Sequence, residues 1–221
     1  MPAILFGSIS TVIDTSELQR AAFNEAFTEH GLDWQWSRED YQELLAGSGG
    51  EQRIAEQADA RGEEVDAAAV HRSKSEAFRR SLAAAPPPPR DGVVETIREA
   101  KADGYKVGLV TTTSEENVRA LIGALDEVDA EDFDVIVDLT QVEQPKPDPA
   151  AYALALDRLG ERAGDCVAIE DNLGGVDSAK AAGVACAAFP NQNTAVHDFG
   201  KAAQRVDHVD FAELRALAAN G

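Results

Sequence analysis

Cysteine is scarce in this chain, and so is positive charge. Only two cysteines, Cys166 and Cys186, occur in 221 residues. Both sit inside apolar runs, which reads as small core residues rather than a disulfide or a reactive thiol. Twenty basic residues face 40 acidic ones, a formal net charge of -20. A surface that acidic repels a phosphate backbone, so nucleic acid is not an expected partner. It repels a phosphorylated metabolite too, so a local positive site has to do the attracting. No apolar run approaches the ~20 residues that a membrane span needs, and no charged-then-apolar leader opens the chain. The expectation is a soluble, cytoplasmic protein without a membrane partner. The four histidines, His30, His71, His197 and His208, lack metal-ligand spacing and read as structural or surface residues. Trp34 and Trp36 read as packing residues.

What is present is a change of texture along the chain. Ala3 to Phe6 is a short apolar run of the kind that forms a strand buried on both faces. Ser16-Glu17-Leu18-Gln19 reads as a capping box that opens a helix, closed by Gly31. Three further helices are expected, from about Ser37, over Glu51 to Arg61 and over Asp66 to Ala84, with Gly47-Ser48-Gly49-Gly50 breaking the first of them. Four prolines at 86–89 cannot continue a helix and mark the clearest boundary in the chain. Beyond them, strands expected at Lys106 to Val110, Val135 to Val137, Val167 to Ile169 and Val184 to Phe189 alternate with helices. Such alternation predicts an α/β fold, a doubly wound, mostly parallel sheet. The N-terminal strand has no neighbour of its own kind before residue 105, so it should join that sheet. Residues 1–14 and 88–221 are expected to form the core, and 15–87 a helical insert.

Ligands of parallel α/β sheets bind at the carboxyl ends of the strands, and three of those ends carry matched chemistry. Thr111-Thr112-Thr113-Ser114 offers hydroxyls and free amides for phosphate oxygens. Lys146, between two prolines, is a fixed positive charge. Glu170 and Asp171 are oxygen ligands of the kind Mg²⁺ takes. Read singly, the threonine run and the acidic pair are helix caps and the lysine is a solvated loop charge. Their coincidence at one sheet edge favours phosphoryl chemistry.

These segments resemble the β-phosphoglucomutase and phosphoglycolate-phosphatase branch of the haloacid-dehalogenase-like (HAD) superfamily, above all the sugar-phosphate phosphatases associated with carbon-fixation operons. KVGLVTTTSEENV resembles that branch's second motif, with Thr111 and Thr112 at the phosphate-binding positions. QPKPDPAAY resembles its third, with Lys146, and VAIEDNLGGVDSAKAAG its fourth, with Glu170 and Asp171 at the metal carboxylates. The resemblance implies a Rossmann-like core, a helical cap over residues 15–87, and a substrate loop in ELLAGSGGEQRI that includes Gly49, Gly50, Glu51 and Arg53. It also implies Mg²⁺, held more weakly here for want of one carboxylate, and a small phosphorylated metabolite or phosphate as ligand.

The first motif departs from the pattern. The family has D-x-D-G-T, a hydrophobic residue, then x-D-[ST]; here ILF is followed by GSISTVIDT. Gly7 therefore takes the place of the nucleophilic aspartate, Ile9 that of the acid/base aspartate, and Ser10 that of the glycine. Glycine has nothing to attack with and isoleucine cannot shuttle a proton. Ser8, the next residue, is expected to point away from the site, because strand side chains alternate. Glu51 stands where the operon-associated phosphatases tend to carry a basic residue. The expectation is a catalytically impaired homologue that binds a phosphate or phosphosugar. The alternatives are an active Mg²⁺-dependent hydrolase of a small phosphate ester, and a structural or partner-binding protein with a vestigial cleft.

Overall fold

The computed structural model describes residues 2–47 and 49–218, so the Ser48 of the expected glycine-rich break lies outside the described residues. The apolar run at the N-terminus forms β1 (Ala3–Phe6), buried at every position. It is followed by α1 (Ile9–Val12), a single turn that the alternating pattern did not announce. Four helices come next: α2 (Ser16–Glu29), α3 (Arg38–Leu44), α4 (Gly50–Arg61) and α5 (Ala67–Ala84). The expected capping box at Ser16 is not made. Thr15 is the cap residue of α2, while the Ser16 hydroxyl donates to Asp14 at 2.6 Å. The nearer carboxylate outcompetes the amide three residues on.

After the prolines the chain runs α6 (Val93–Ala102), β2 (Lys106–Val110), α7 (Glu115–Ile122), β3 (Val135–Val137), α8 (Ala150–Leu159), β4 (Cys166–Glu170), α9 (Leu173–Ala181), β5 (Ala185–Ala188), β6 (Gln204–Arg205) and α10 (Phe211–Ala218). Among the described residues these give a six-stranded sheet in the order β3-β2-β1-β4-β5-β6, with parallel pairing throughout. The first strand lies at the centre, between β2 and β4, and the chain leaves it in both directions. That makes the carboxyl end of β1 the switch point where such sheets open a crevice. Two apolar layers cover the sheet, one around Phe6, Leu109 and Ile169, the other around Leu5, Val110 and Tyr152.

Helices α2 to α5 have an apolar cluster of their own, in which Phe23, Phe27, Trp34, Trp36 and Tyr41 pack ring against ring. Both tryptophans are therefore packing residues, as expected. The chain passes into and out of this helical segment along two paired crossings, with an antiparallel bridge between Ile13 and Pro89 and the Arg90 amide bonded to the Val12 carbonyl at 2.9 Å. The Arg90 side chain clasps the pair to the sheet by donating to the carbonyls of Ser10, Phe189 and Pro190. Charge-assisted bonds of this kind hold the crossing in one register.

Candidate functional site

A cleft of about 1150 Å³ opens between the carboxyl edge of the sheet and the helical segment. From the sheet it is lined by Gly7, Ser8 and Ile9, by Thr111 to Ser114, and by Lys146 and Asp171. From the helices it is lined by Gly49, Gly50, Glu51, Arg53, His71, Lys74 and Arg79, among others. Every residue expected at the site thus reaches one cavity, except Glu170, which does not line it.

Glu170 is fully buried, at 0% exposure, and its carboxylate is folded back beneath β1. The space it fills exists only because residue 7 has no side chain. A Cβ on Gly7 would stand 2.1 Å from Glu170 Cδ and 2.6 Å from the Tyr152 hydroxyl. Gly175, in the first turn of α9, leaves room on the other side, where a Cβ would meet Glu170 Oε2 at 2.0 Å. Within this space Glu170 Oε1 accepts from Lys146 Nζ at 2.6 Å and from Tyr152 Oη at 2.7 Å. Oε2 has no hydrogen-bond partner among the described residues. Burial pushes the Glu170 carboxyl above the ordinary carboxylate value, and the Lys146 ammonium pulls the other way. The Tyr152 phenol is pushed well above its ordinary value, first by burial and then by the Glu170 charge.

Lys146 is committed to the same cluster. Its ammonium carries three N–H donors and bonds three oxygens: Glu170 Oε1, the Val110 carbonyl and the Gly7 carbonyl. Only 9% of the side chain is exposed.

Asp171, one residue on, does face the cleft, but its oxygens are taken. Oδ1 accepts from Ser8 Oγ at 2.6 Å and Asn172 Nδ2 at 3.0 Å, and Oδ2 accepts from Asn191 Nδ2 at 2.7 Å. The expected outward orientation of Ser8 is therefore corrected. β1 ends at Phe6, so strand alternation no longer governs residue 8, and the Ser8 hydroxyl instead caps α1 and reaches Asp171. Asn172, not the acidic pair, caps α9. A Mg²⁺ ion would require carboxylate oxygens open to the cleft. With Glu170 turned away, Asp171 engaged on both oxygens and no carboxylate at residue 7, the residues present do not fit one.

The hydroxyl turn is better placed. Thr111, buried, accepts from the Thr113 amide at 3.2 Å, and Ser114 caps α7 by accepting from the Asn117 amide. Thr112 lines the cleft beside them.

The helical side carries a cluster that the motif reading missed. Lys74 is 6% exposed, lies over the rings of Phe23 and Phe78, and donates to Gln19. Burial lowers its ammonium to about 7, and the neighbouring cations Arg53 and Arg79 push in the same direction. His71 beside it is lowered to about 4, by burial and then by Lys74 and Arg53. His71, expected as a structural or surface residue, lines the cleft. Arg53 is held by the carbonyls of Leu44 and Gly47, and Arg79 reaches across to Asn117 on α7 at 3.1 Å. The signal for Lys74 lay in the spacing of α5: residues 70, 74, 77, 78 and 82 form its buried stripe, and a lysine on such a stripe asks for a buried partner.

A family model described as haloacid dehalogenase-like hydrolase matches residues 1–183. Protein CbbY of Cereibacter sphaeroides is 40% identical over 222 residues, 98% of this chain and 95% of that protein. Protein CbbY of Rhodobacter capsulatus is 37% identical over 221 residues, with 98% and 97% covered. Among solved structures, CbbY from Rhodobacter sphaeroides in complex with phosphate superposes with a TM-score of 0.86 at 40% identity, covering 96% of this chain and 95% of that one. A mutant of the same protein in complex with xylulose-(1,5)bisphosphate matches equally well.

Proposed function

This chain belongs to the haloacid dehalogenase-like hydrolases, and from that premise we propose that it binds a phosphorylated sugar in its cleft without turning it over at enzymatic rates. The observation that carries the proposal is the foot of the cleft at residues 7 to 9. There the backbone of Gly7 and the buried Ile9 line the cleft, at the two positions that the motif resemblance aligns with the family's nucleophile and acid/base. Losing a nucleophile of this kind costs on the order of 10⁶ in rate, or ~8 kcal/mol of barrier.

The remainder of the cleft supports binding. Hydroxyls of Thr111, Thr112 and Thr113 line its sheet side, while Arg53, Lys74 and Arg79 supply positive charge on its helical side. A ligand with an anionic group at each end meets both. The phosphate and xylulose-(1,5)bisphosphate held by CbbY of Rhodobacter sphaeroides belong to that class, and a sugar bisphosphate is the ligand we propose.

Two measurements test this. A sugar bisphosphate should raise the melting temperature of the purified protein, since a ligand of the native state alone stabilises by roughly 2.7 kcal/mol at a hundredfold excess over Kd. Phosphate release from a panel of phosphate esters should stay far below the ~1 s⁻¹ of an ordinary enzyme. Turnover at that level sinks the proposal.

One observation favours a second reading, that of an active hydrolase. Ser8 Oγ donates to Asp171 at 2.6 Å inside the cleft, an arrangement of hydroxyl and base suited to nucleophilic attack. If phosphate release is found and Ser8→Ala abolishes it, that reading replaces the first.

A further inference from the structure

The cluster at the foot of β1 bears on what accompanies the ligand. Three carboxylate positions decide whether a hard divalent cation can sit at this sheet edge: residues 7, 170 and 171. The first is glycine. The second is folded back into the room that the glycine leaves, and its inward carboxylate is paired with Lys146 and Tyr152. The third spends both oxygens on Ser8, Asn172 and Asn191. Glu170 does not line the cleft, and swinging it out to a cation there would strip Lys146 of its anion in a buried site, a separation that is strongly unfavourable. The inward Glu170 and any side chain at residue 7 also exclude one another, because a Cβ there would lie 2.1 Å from Glu170 Cδ.

We infer that this protein takes its anionic ligand without a divalent cation, and that the missing side chain at residue 7 is what sets that independence. The inference rests on the proposed phosphate-binding reading for the ligand, but not for the metal. The charge of the ligand is then met by protein cations alone, which accounts for a buried lysine whose charged neighbours, Arg53 and Arg79, are cations too.

The experiment has two arms. In the first, Mn²⁺ is titrated into the metal-free wild-type protein, its Asp171→Asn variant and Gly7→Asp, with free Mn²⁺ followed by electron paramagnetic resonance. Wild type and Asp171→Asn should bind alike, since only the acidic surface contributes. Gly7→Asp should gain at least about tenfold in affinity, because the new side chain evicts Glu170 toward the cleft. Wild-type Mn²⁺ binding that Asp171→Asn removes overturns the inference, and so does a folded Gly7→Asp that gains nothing. Should Gly7→Asp not fold, the comparison of wild type with Asp171→Asn decides alone. In the second arm, the Kd of inorganic phosphate is measured by calorimetry in EDTA and in excess MgCl₂. It should agree within about twofold, and a tenfold tightening by Mg²⁺ overturns the inference. Failure of phosphate to bind under either condition would count against the proposed function, and the Mn²⁺ arm would still decide the question of the metal.

Discussion

The two walls of the cleft solve the problem of buried charge in opposite ways. On the sheet side, Lys146 and Glu170 neutralise each other, with all three ammonium donors used and Oε1 of the carboxylate doubly bonded. On the helical side, Lys74 is buried beside the cations Arg53 and Arg79, and among the described residues its hydrogen-bond acceptor is the neutral Gln19. A paired buried charge contributes little net stability but is costly to break, whereas an unpaired one lowers stability as it stands. The first wall has its charges matched without a ligand, whereas under the proposed function the second is completed by one.

The largest effect should come from opening the finished wall. Glu170→Gln preserves the shape and the bond from Tyr152 but leaves the Lys146 ammonium buried beside a neutral amide. The expected loss is roughly 3–5 kcal/mol of unfolding free energy, measured by urea denaturation. Replacing both partners, Lys146→Met with Glu170→Leu, should recover most of it. A double variant as unstable as the single one would show that the pair is more than a mutually neutralised charge.

On the unfinished wall the same kind of substitution should act with the opposite sign. Lys74→Met keeps the apolar stem against Phe23 and Phe78 and removes the unmatched ammonium. Folding lowers this group to about 7 from an ordinary value of 10.5. Each tenfold loss in proton affinity on folding takes roughly 1.4 kcal/mol from the stability of the wild type near neutral pH. The variant should gain about 2–4 kcal/mol, read from the same denaturation curves, and should lose the phosphate-induced thermal shift. A gain in stability with undiminished phosphate binding would place the anion away from Lys74.

The contrast also explains which parts of the molecule were legible in the sequence. The elements from Val93 to β5 followed their apolar runs and punctuating glycines closely, and so did the four-helix segment, because one period governs each run, whereas β6 and α10 were not expected. The turn α1 and the cap at Thr15 were missed, because both depend on side chains finding partners across a few residues. The cleft residues at strand ends were legible as types, since the topology of a parallel sheet sends them to one edge. Their hydrogen bonds were not. That Glu170 would fold into the space beside Gly7 follows from the absence of a Cβ, and such an absence shows only when the facing side chain is placed beside it. Lys74 was readable from its own helix, but only by asking why a lysine shares a stripe with Val70, Ala77 and Phe78.

A smaller effect tests the fit of Glu170 directly. Gly7→Ala adds one methyl group where Glu170 and Tyr152 already stand, and overpacking of this size costs about 1–3 kcal/mol. In a Glu170→Ala background the added methyl has room, so the two substitutions should be clearly non-additive. Additive losses would mean that residue 7 is constrained by something other than Glu170.

The smallest effect is a dependence on pH that separates the two states of the unfinished wall. In the ligand-free protein the Lys74 ammonium is lowered to about 7, while the unfolded chain holds its proton up to the ordinary lysine value. Between those limits the unfolded state binds more protons, so this group makes unfolding free energy rise as pH increases from about 7 toward 10.5. A bound anion favours the protonated lysine and reverses the sign for affinity. Binding then takes up a proton above about pH 7 and weakens by up to about tenfold for each further step of one in pH. Sulfate is the suitable probe, because its own charge does not change over this range. His71, lowered to about 4, stays neutral throughout and does not contribute. Sulfate affinity measured by calorimetry from about pH 6 to 9 should therefore be flat below about 7 and fall above it, while the melting temperature of the ligand-free protein gains a rising contribution that Lys74→Met removes. An affinity that is flat over the whole range would mean that the anion is held by Arg53, Arg79 and the threonine turn without help from Lys74, and the comparison between the two walls would have to be redrawn around the arginines.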